Sequence, residues 1–278
     1  MKIWFAALIG FVQGVTEFLP VSSSGHLSVL QNLFGMENVE EGHLFFDVLL
    51  HLATLVSVCV VYWQDIKDMV KEFFGFFHDL RHPKPEDGDP KPARRMVFMI
   101  IIALLPLFIA LPFQSLIEKL YYNTLFIGFA FLVTGVILFV TDRLKTGRKT
   151  AANMTVKDAL IVGACQAVAT IPGISRSGST ISAGMATGLE RSYAVKFSFL
   201  LSLPAILGAN ILQLFKAIGG GIDFSLVPAY LVGMVVAGIT GYFAINLVKM
   251  LSRKGKFGKF CYYCFAAGIA TIVLSFIF

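Results

Sequence analysis

Gln13 and Glu17 stand four residues apart in an otherwise apolar stretch. On a helix that spacing puts both side chains on one face. A carboxylate among residues this apolar is expensive and marks function by default; the plainer reading is a structural Glu paired with a backbone group or with Arg176. Ser22, Ser23, Ser24 and Gly25 follow, next to His26. Hydroxyl and imidazole together suit a nucleophile with its base, or phosphate ligands; the plainer reading is a helix cap. Ser175, Arg176, Ser177, Gly178, Ser179 and Thr180 form a second cluster. A guanidinium offers planar, bidentate donors suited to phosphate, and a helix starting there would favour an anion. One cluster supplies acid, hydroxyl and imidazole, and the other supplies guanidinium and hydroxyls.

The elements that must position these residues belong to lipid. Of 278 residues, 56% are hydrophobic and 14% charged, against about 45–50% and about 25% in soluble chains. Mean hydropathy is +0.77. This excludes a disordered chain, a collagen-like chain and an ordinary soluble enzyme. The net charge of +6 falls between apolar runs, so it reads as a topology signal rather than a nucleic-acid surface. Six runs, roughly 44–63, 96–113, 123–141, 197–215, 226–248 and 260–278, have about the length needed to cross the hydrocarbon. Segments 3–30 and 158–188 are apolar but interrupted by a Pro and a Ser/Gly cluster. Irregular backbone at that depth survives only inside protein or beside a water-filled cavity. The start, Met1-Lys2, leads into Gln13, Glu17 and the serines and reads as mature protein rather than a signal peptide.

The two interrupted segments resemble each other. Gly10, Gln13, Ser22, Ser24 and Gly25 match Gly163, Gln166, Ser175, Ser177 and Gly178 at an offset of 153, and Phe46, Leu49, Leu50 and Leu52 match Phe197, Leu200, Leu201 and Leu203 at 151. The expected architecture is an all-α integral membrane protein of two inverted-topology repeats, with six full transmembrane helices and two re-entrant helical hairpins. The first repeat is 1–141 with its hairpin at about 3–30; 142–157 is a cytoplasmic connector; the second repeat is 158–278 with its hairpin at about 158–188. That topology places 19 of the 23 Lys/Arg in loops 64–95, 142–157, 189–196 and 249–259, and leaves Lys2, Lys119 and Lys216 opposite and Arg176 in a hairpin. The basic side is cytoplasmic by the positive-inside rule. An inverted repeat with paired broken segments points to a site near the midplane.

Other residues carry less. Asp47 and His51, four apart in the first full span, would flank the site or close a polar contact. Thr54 and Asn210 would bond backbone or neighbouring helices. Cys59, Cys165, Cys261 and Cys264 read as core or lipid-facing thiols, because a single CxxC lacks the ligands of a zinc site. The stretch 78–95, with Pro83, Pro85, Pro90 and Pro92, reads as a tether.

At the two clusters the sequence resembles the undecaprenyl-diphosphatase, or bacitracin-resistance, family. Its first motif is met by Gln13-Gly14-Val15-Thr16-Glu17 and continues from Phe18 through His26; its second runs from Pro172 through Thr180 without departure. Gln13 is a position where many members carry Glu. The resemblance covers essentially the whole chain. It implies a bacterial plasma-membrane enzyme, its site toward the periplasmic or outer face, that hydrolyses undecaprenyl diphosphate to undecaprenyl phosphate and phosphate. That recycles the lipid carrier for cell-wall synthesis and confers bacitracin resistance. The implied partners are undecaprenyl diphosphate and membrane lipid, with no nucleic acid and with a homodimer as an open option; the implied cofactor is a divalent cation, Mg or Ca. The expected catalytic set is Glu17, Ser23, His26 and Arg176. Ser23 would attack with His26 as base, or His26 would attack instead. Glu17 would hold the metal or act as base. Gln13, Ser22, Ser24, Ser175, Ser177 and Thr180 would bind substrate. The competing class is a transporter or flippase for undecaprenyl phosphate, which needs an anion site but no nucleophile.

Overall fold

The computed structural model describes residues 1–33, 40–81, 91–219 and 224–277; Pro83, Pro85, Pro90, Phe278 and the side chain of Lys216 lie outside them. Among the described residues there are thirteen α-helices and no strand: α1 Ile3–Phe18, α2 Ser23–Leu33, α3 Glu40–Val61, α4 Trp63–Arg81, α5 Pro92–Leu104, α6 Leu107–Ala110, α7 Gln114–Leu120, α8 Thr124–Thr141, α9 Val156–Val168, α10 Arg176–Ala186, α11 Arg191–Gly219, α12 Val227–Arg253 and α13 Phe260–Leu274. Five helical stretches are long and apolar enough to cross a membrane: Pro92–Leu120, Thr124–Thr141, Arg191–Ile211, Val227–Arg253 and Phe257–Leu274. The count reaches six if α3 and α4, separated by one residue and an 87° bend, are taken together as one broken stretch.

Local chemistry explains where helices start and stop. Pro92 opens α5 at its first turn, where a missing N–H costs nothing. The 96–113 run breaks at Leu105 and Pro106, because proline cannot donate into the helix. Asn123 caps α8 by accepting from the Phe126 N–H, and Thr155 with Asp158 forms a reciprocal capping box on α9. The stretch 64–81, expected as loop, is helical: its apolar residues gather on one side and its charges on the other, so the helix satisfies its backbone while its half-buried acids meet cations of the fold.

Glycines bring the helices together. A Cβ on Gly10 of α1 would lie 2.3 Å from the Gly233 carbonyl oxygen of α12, and one on Gly14 would lie 2.4 Å from the Ala237 oxygen. The same closeness joins α9 to α5, where a Cβ on Gly163 would lie 2.2 Å from the Ala103 oxygen. In lipid, where tails are as apolar as Leu, such small-residue contacts drive helix association. Phe18, Phe197 and Phe199 fill the centre of the largest apolar cluster. The exterior is apolar too: Phe108 is 65% exposed and Phe276 79%. A surface like this has lipid as its solvent.

Gly10→Ala should lower the detergent unfolding temperature by the equivalent of about 1–3 kcal/mol, the usual range for overpacking. Gly208→Ala, where nothing stands within 4 Å of the added carbon, should leave it unchanged or raise it. Equal effects from the two substitutions would refute the close-packed reading of α1 and α12.

Candidate functional site

Two helix breaks meet inside the fold. The first, Leu19 to Ser22, separates α1 from α2. Ser22 has φ +70°, the one positive-φ non-glycine among the described residues. Its hydroxyl takes the Gly25 N–H at 3.4 Å and lies 3.3 Å from the Ser24 hydroxyl. The second break runs from Ala169 to Ser175, with Gly173 at φ +88°. There the Ser175 hydroxyl accepts the Gly178 N–H at 3.1 Å and lies 3.3 Å from Ser177 Oγ. Both serines act as N-caps, binding an N–H that the helix leaves unmatched. The Ser177 hydroxyl reaches across to donate to the Leu19 carbonyl at 3.1 Å. Thr134 of α8 steadies the second break: its hydroxyl donates to the Gly173 carbonyl and accepts from the Ser175 N–H.

Glu17 lies at the join, its side chain 5% exposed. Its Oε1 pairs with Nη2 of Arg176. Its Oε2 accepts from Gln13 Nε2 at 3.0 Å and from the Ser23 hydroxyl at 2.6 Å. Nε2 of His51 stands 3.8 Å from the same oxygen. Arg176 keeps one arm unmatched: Nη1 is buried with no hydrogen-bond partner, and so is Gln13 Oε1. A buried donor without an acceptor carries the full desolvation penalty unless a ligand supplies one.

The hydrogen bond of Ser23 goes to Glu17, not to His26. His26 Nδ1 faces the Ser22 carbonyl at 2.7 Å, so it donates there, which leaves Nε2 to accept from the Tyr263 hydroxyl at 2.7 Å. The Ser23 hydroxyl is thus paired with Glu17, the other base the sequence offered, and His26 is seated between backbone and α13. Thr180 turns away from the join, to the Arg176 carbonyl at 2.8 Å and to Ser198 at 2.6 Å. Ser175, Ser177 and Thr180 are almost wholly buried and hold the backbone that presents Arg176. Ser24 is half-buried, near Tyr121, with its hydroxyl 3.3 Å from that of Ser22. Asp47 accepts from Gln31 at 3.4 Å, and His51 Nδ1 meets the Asp47 carbonyl at 2.8 Å.

The sequence reading missed Tyr263 and Tyr121. Tyr263 lies within Cys261-Tyr262-Tyr263-Cys264, where the paired cysteines drew attention instead of the phenols; all four thiols are free. Thr54 bonds the His51 carbonyl as expected, whereas Asn210 Nδ2 is buried without an acceptor.

A metal fits poorly here. Both Glu17 oxygens are taken, one by a guanidinium, and no three His, Cys, Asp or Glu side chains converge among the described residues. The donor set does not suit a divalent ion held by the protein alone.

The fold and the site define a multi-helix membrane protein with a buried carboxylate–guanidinium pair where two broken helices meet. The family described as bacitracin resistance protein BacA matches residues 6–270. A protein of Methanobrevibacter smithii named undecaprenyl-diphosphatase is 42% identical over 99% of this chain and 98% of its own. Proteins of the same name from Carboxydothermus hydrogenoformans, 40% identical over 99% and 98%, and Halothermothrix orenii, 37% identical over the full length of both, are similar. The chain belongs to the bacitracin resistance protein BacA family.

Breaking the buried pair by Glu17→Gln or Arg176→Met alone should destabilise the fold by about 3–5 kcal/mol, because one charge stays buried and uncompensated. The double variant should be more stable than the sum of the two losses. Additive losses in detergent melts would mean that the pair is not coupled.

Proposed function

We propose that the chain hydrolyses undecaprenyl diphosphate to undecaprenyl phosphate and inorganic phosphate. The observation that carries the reading is the unmatched Nη1 of Arg176 beside a serine hydroxyl already bonded to a carboxylate. The names of the relatives agree with it. In phosphoryl transfer the protein mainly positions groups and offsets charge. Arg176, at the first turn of α10, receives the terminal phosphate on Nη1 and on the N-terminal end of that helix. Ser23 Oγ attacks the terminal phosphorus and gives its proton to Glu17 Oε2. The Oγ–P bond forms, the bridging P–O bond breaks, and undecaprenyl phosphate departs with the bridging oxygen. Water then attacks the phosphoserine, losing a proton to the site as the Oγ–P bond breaks and Ser23 regains its own. His26, held by Ser22 and Tyr263, orients α2; the competing role as nucleophile has less support because both ring nitrogens are engaged. No step runs through a divalent cation; Mg or Ca belongs in this scheme with the diphosphate rather than with the chain.

We propose further that the chain is the inverted repeat its sequence suggests, with α1–α2 and α9–α10 as re-entrant hairpins. The two serine caps correspond at an offset of 153. Exchanging α1 with α9, α3 with α11, α5 with α12 and α8 with α13 maps the main packing pairs, α1 on α12, α9 on α5, α3 on α11 and α8 on α13, onto one another. In a plasma membrane with the basic loops inside, the site would open outward. The same architecture favours a second reading, transport of undecaprenyl phosphate.

Phosphate release by the purified protein decides between them. Arg176→Ala, Ser23→Ala and Glu17→Gln should each lower turnover by roughly 100-fold or more, the scale of one transition-state donor, while Tyr263→Phe lowers it far less. Chelation should leave the unfolding temperature of the chain alone unchanged. No phosphate release by folded wild type, with or without Mg, would overturn the phosphatase in favour of transport; full activity in Arg176→Ala would overturn the mechanism.

A further inference from the structure

The helix α4 carries three stripes. The first faces the protein: Ile66 and Met69 pack on the main core, and Phe76 meets Phe98 of α5 edge-on at 4.9 Å. The acids beside that stripe are answered from within the fold. Asp65 pairs with Lys196 at 2.7 Å, and Arg94 binds Glu72 at 3.2 Å and Asp79 at 2.6 Å. The second stripe is apolar and faces outward, with Val70 51% exposed, Phe74 66% and Phe77 51%. The third is polar, with Lys67, Lys71 and Arg81 exposed.

A surface helix of a globular protein needs one apolar stripe. The second stripe needs a cover of its own, and three features say what it is. Directly before α4 comes the apolar helix α3, at an 87° bend. If α3 runs along the bilayer normal, α4 lies in the plane of the bilayer surface for roughly 28 Å at 1.5 Å per residue. The charges divide to match: Asp65, Glu72 and Asp79 turn inward to protein cations, Asp68 stays exposed and takes a hydrogen bond from Gln64 at 3.0 Å, and the outer flank carries Lys67, Lys71 and Arg81, a net positive charge. The surrounding end of the fold is basic as well, with Lys249 over the Tyr62 ring at 5.0 Å and Arg253 closing α12. A helix with an apolar face bordered by lysines lies in the headgroup layer, and its cations attract anionic lipids.

We infer that α4 is a surface-lying anchor: Val70, Phe74 and Phe77 enter the boundary of the acyl chains, and Lys67, Lys71 and Arg81 meet anionic phospholipid headgroups. The anchor fixes the depth of α3, and through α3 that of Asp47 and His51. The inference is independent of the phosphatase chemistry.

The test uses the full chain in phosphatidylcholine vesicles, with and without phosphatidylglycerol. Trp4 and Trp63 are the two tryptophans. In a Trp4→Phe, Trp63→Phe background, Val70→Trp, Phe74→Trp and Phe77→Trp are made one at a time, and bromines are placed near either the carbonyl end or the methyl end of the acyl chains. All three reporters should be quenched more by the shallow bromines than by the deep ones, equally at 70 and 77, and should resist acrylamide. Phosphatidylglycerol should shift the emission at 77 further to the blue, and Lys67→Gln with Lys71→Gln and Arg81→Gln should abolish that shift. Quenching that fades from 70 to 77, stronger quenching by deep bromines, or no response to bromine at all would overturn the anchor, indicating a projecting helix, a span, or cover by protein. A shift indifferent to phosphatidylglycerol would overturn the headgroup contact. None of these readouts depends on turnover, so they stand apart from any failure of phosphate release.

Discussion

The structure turns on the contact between Glu17 and Arg176. Either charge alone in this setting would be costly, because burial removes water that no apolar neighbour replaces. Each is therefore held by the other, from segments 159 residues apart in sequence. The rest of the centre serves the pair. Gln13 and Ser23 occupy the carboxylate oxygen that the guanidinium does not. The serine caps of α2 and α10 fix the ends on which Ser23 and Arg176 ride.

Two broken helices are the means by which charge is brought to this depth. An unbroken helix satisfies its own backbone and offers a ligand only side chains. A break exposes N–H groups at a helix start, and those groups favour an anion. The breaks also expose carbonyls, and the structure answers these one by one: Leu19 by Ser177, Gly173 by Thr134, Pro20 by the Cys264 thiol at 3.6 Å. The hydroxyls of the second motif are largely spent on the fold: Ser175 accepts the Gly178 N–H, Ser177 donates across the join to the Leu19 carbonyl, and Thr180 bonds the Arg176 carbonyl and Ser198.

How much of this was legible follows from the range of each interaction. Glu17 and Arg176 stood out because charge is rare in apolar sequence, and the helices followed from run length and proline. The capping serines were readable from their local spacing. The partner of Ser23 was not, since Glu17 and His26 lie at comparable distance along the chain and only the path of the break decides between them. Tyr263 was beyond reach for a different reason: 237 residues separate it from His26, and nothing in an exposed tyrosine on an apolar helix announces its contact. The helix after the bend at Val61 was hidden because the charges of 64–81 read as loop, and which of its apolar residues face protein needs the packed neighbours.

The pair also explains how the site can wait for its ligand. Arg176 gives Nη2 to Glu17 and keeps Nη1 unmatched, and Gln13 keeps its oxygen unmatched. A centre built only for stability would have satisfied both, since replacing a buried ion pair with apolar side chains is often neutral or stabilising. Retaining one free donor on a charged group has a use only if an acceptor arrives. In the proposed phosphatase an incoming phosphate would match Nη1 and compete with Glu17 for the whole guanidinium. To the extent that it wins, it frees the carboxylate that holds the Ser23 hydroxyl. On that proposal one contact would do two jobs in sequence: it keeps the charges compatible with the interior while the site is empty, and it would link arrival of the anion to release of the base.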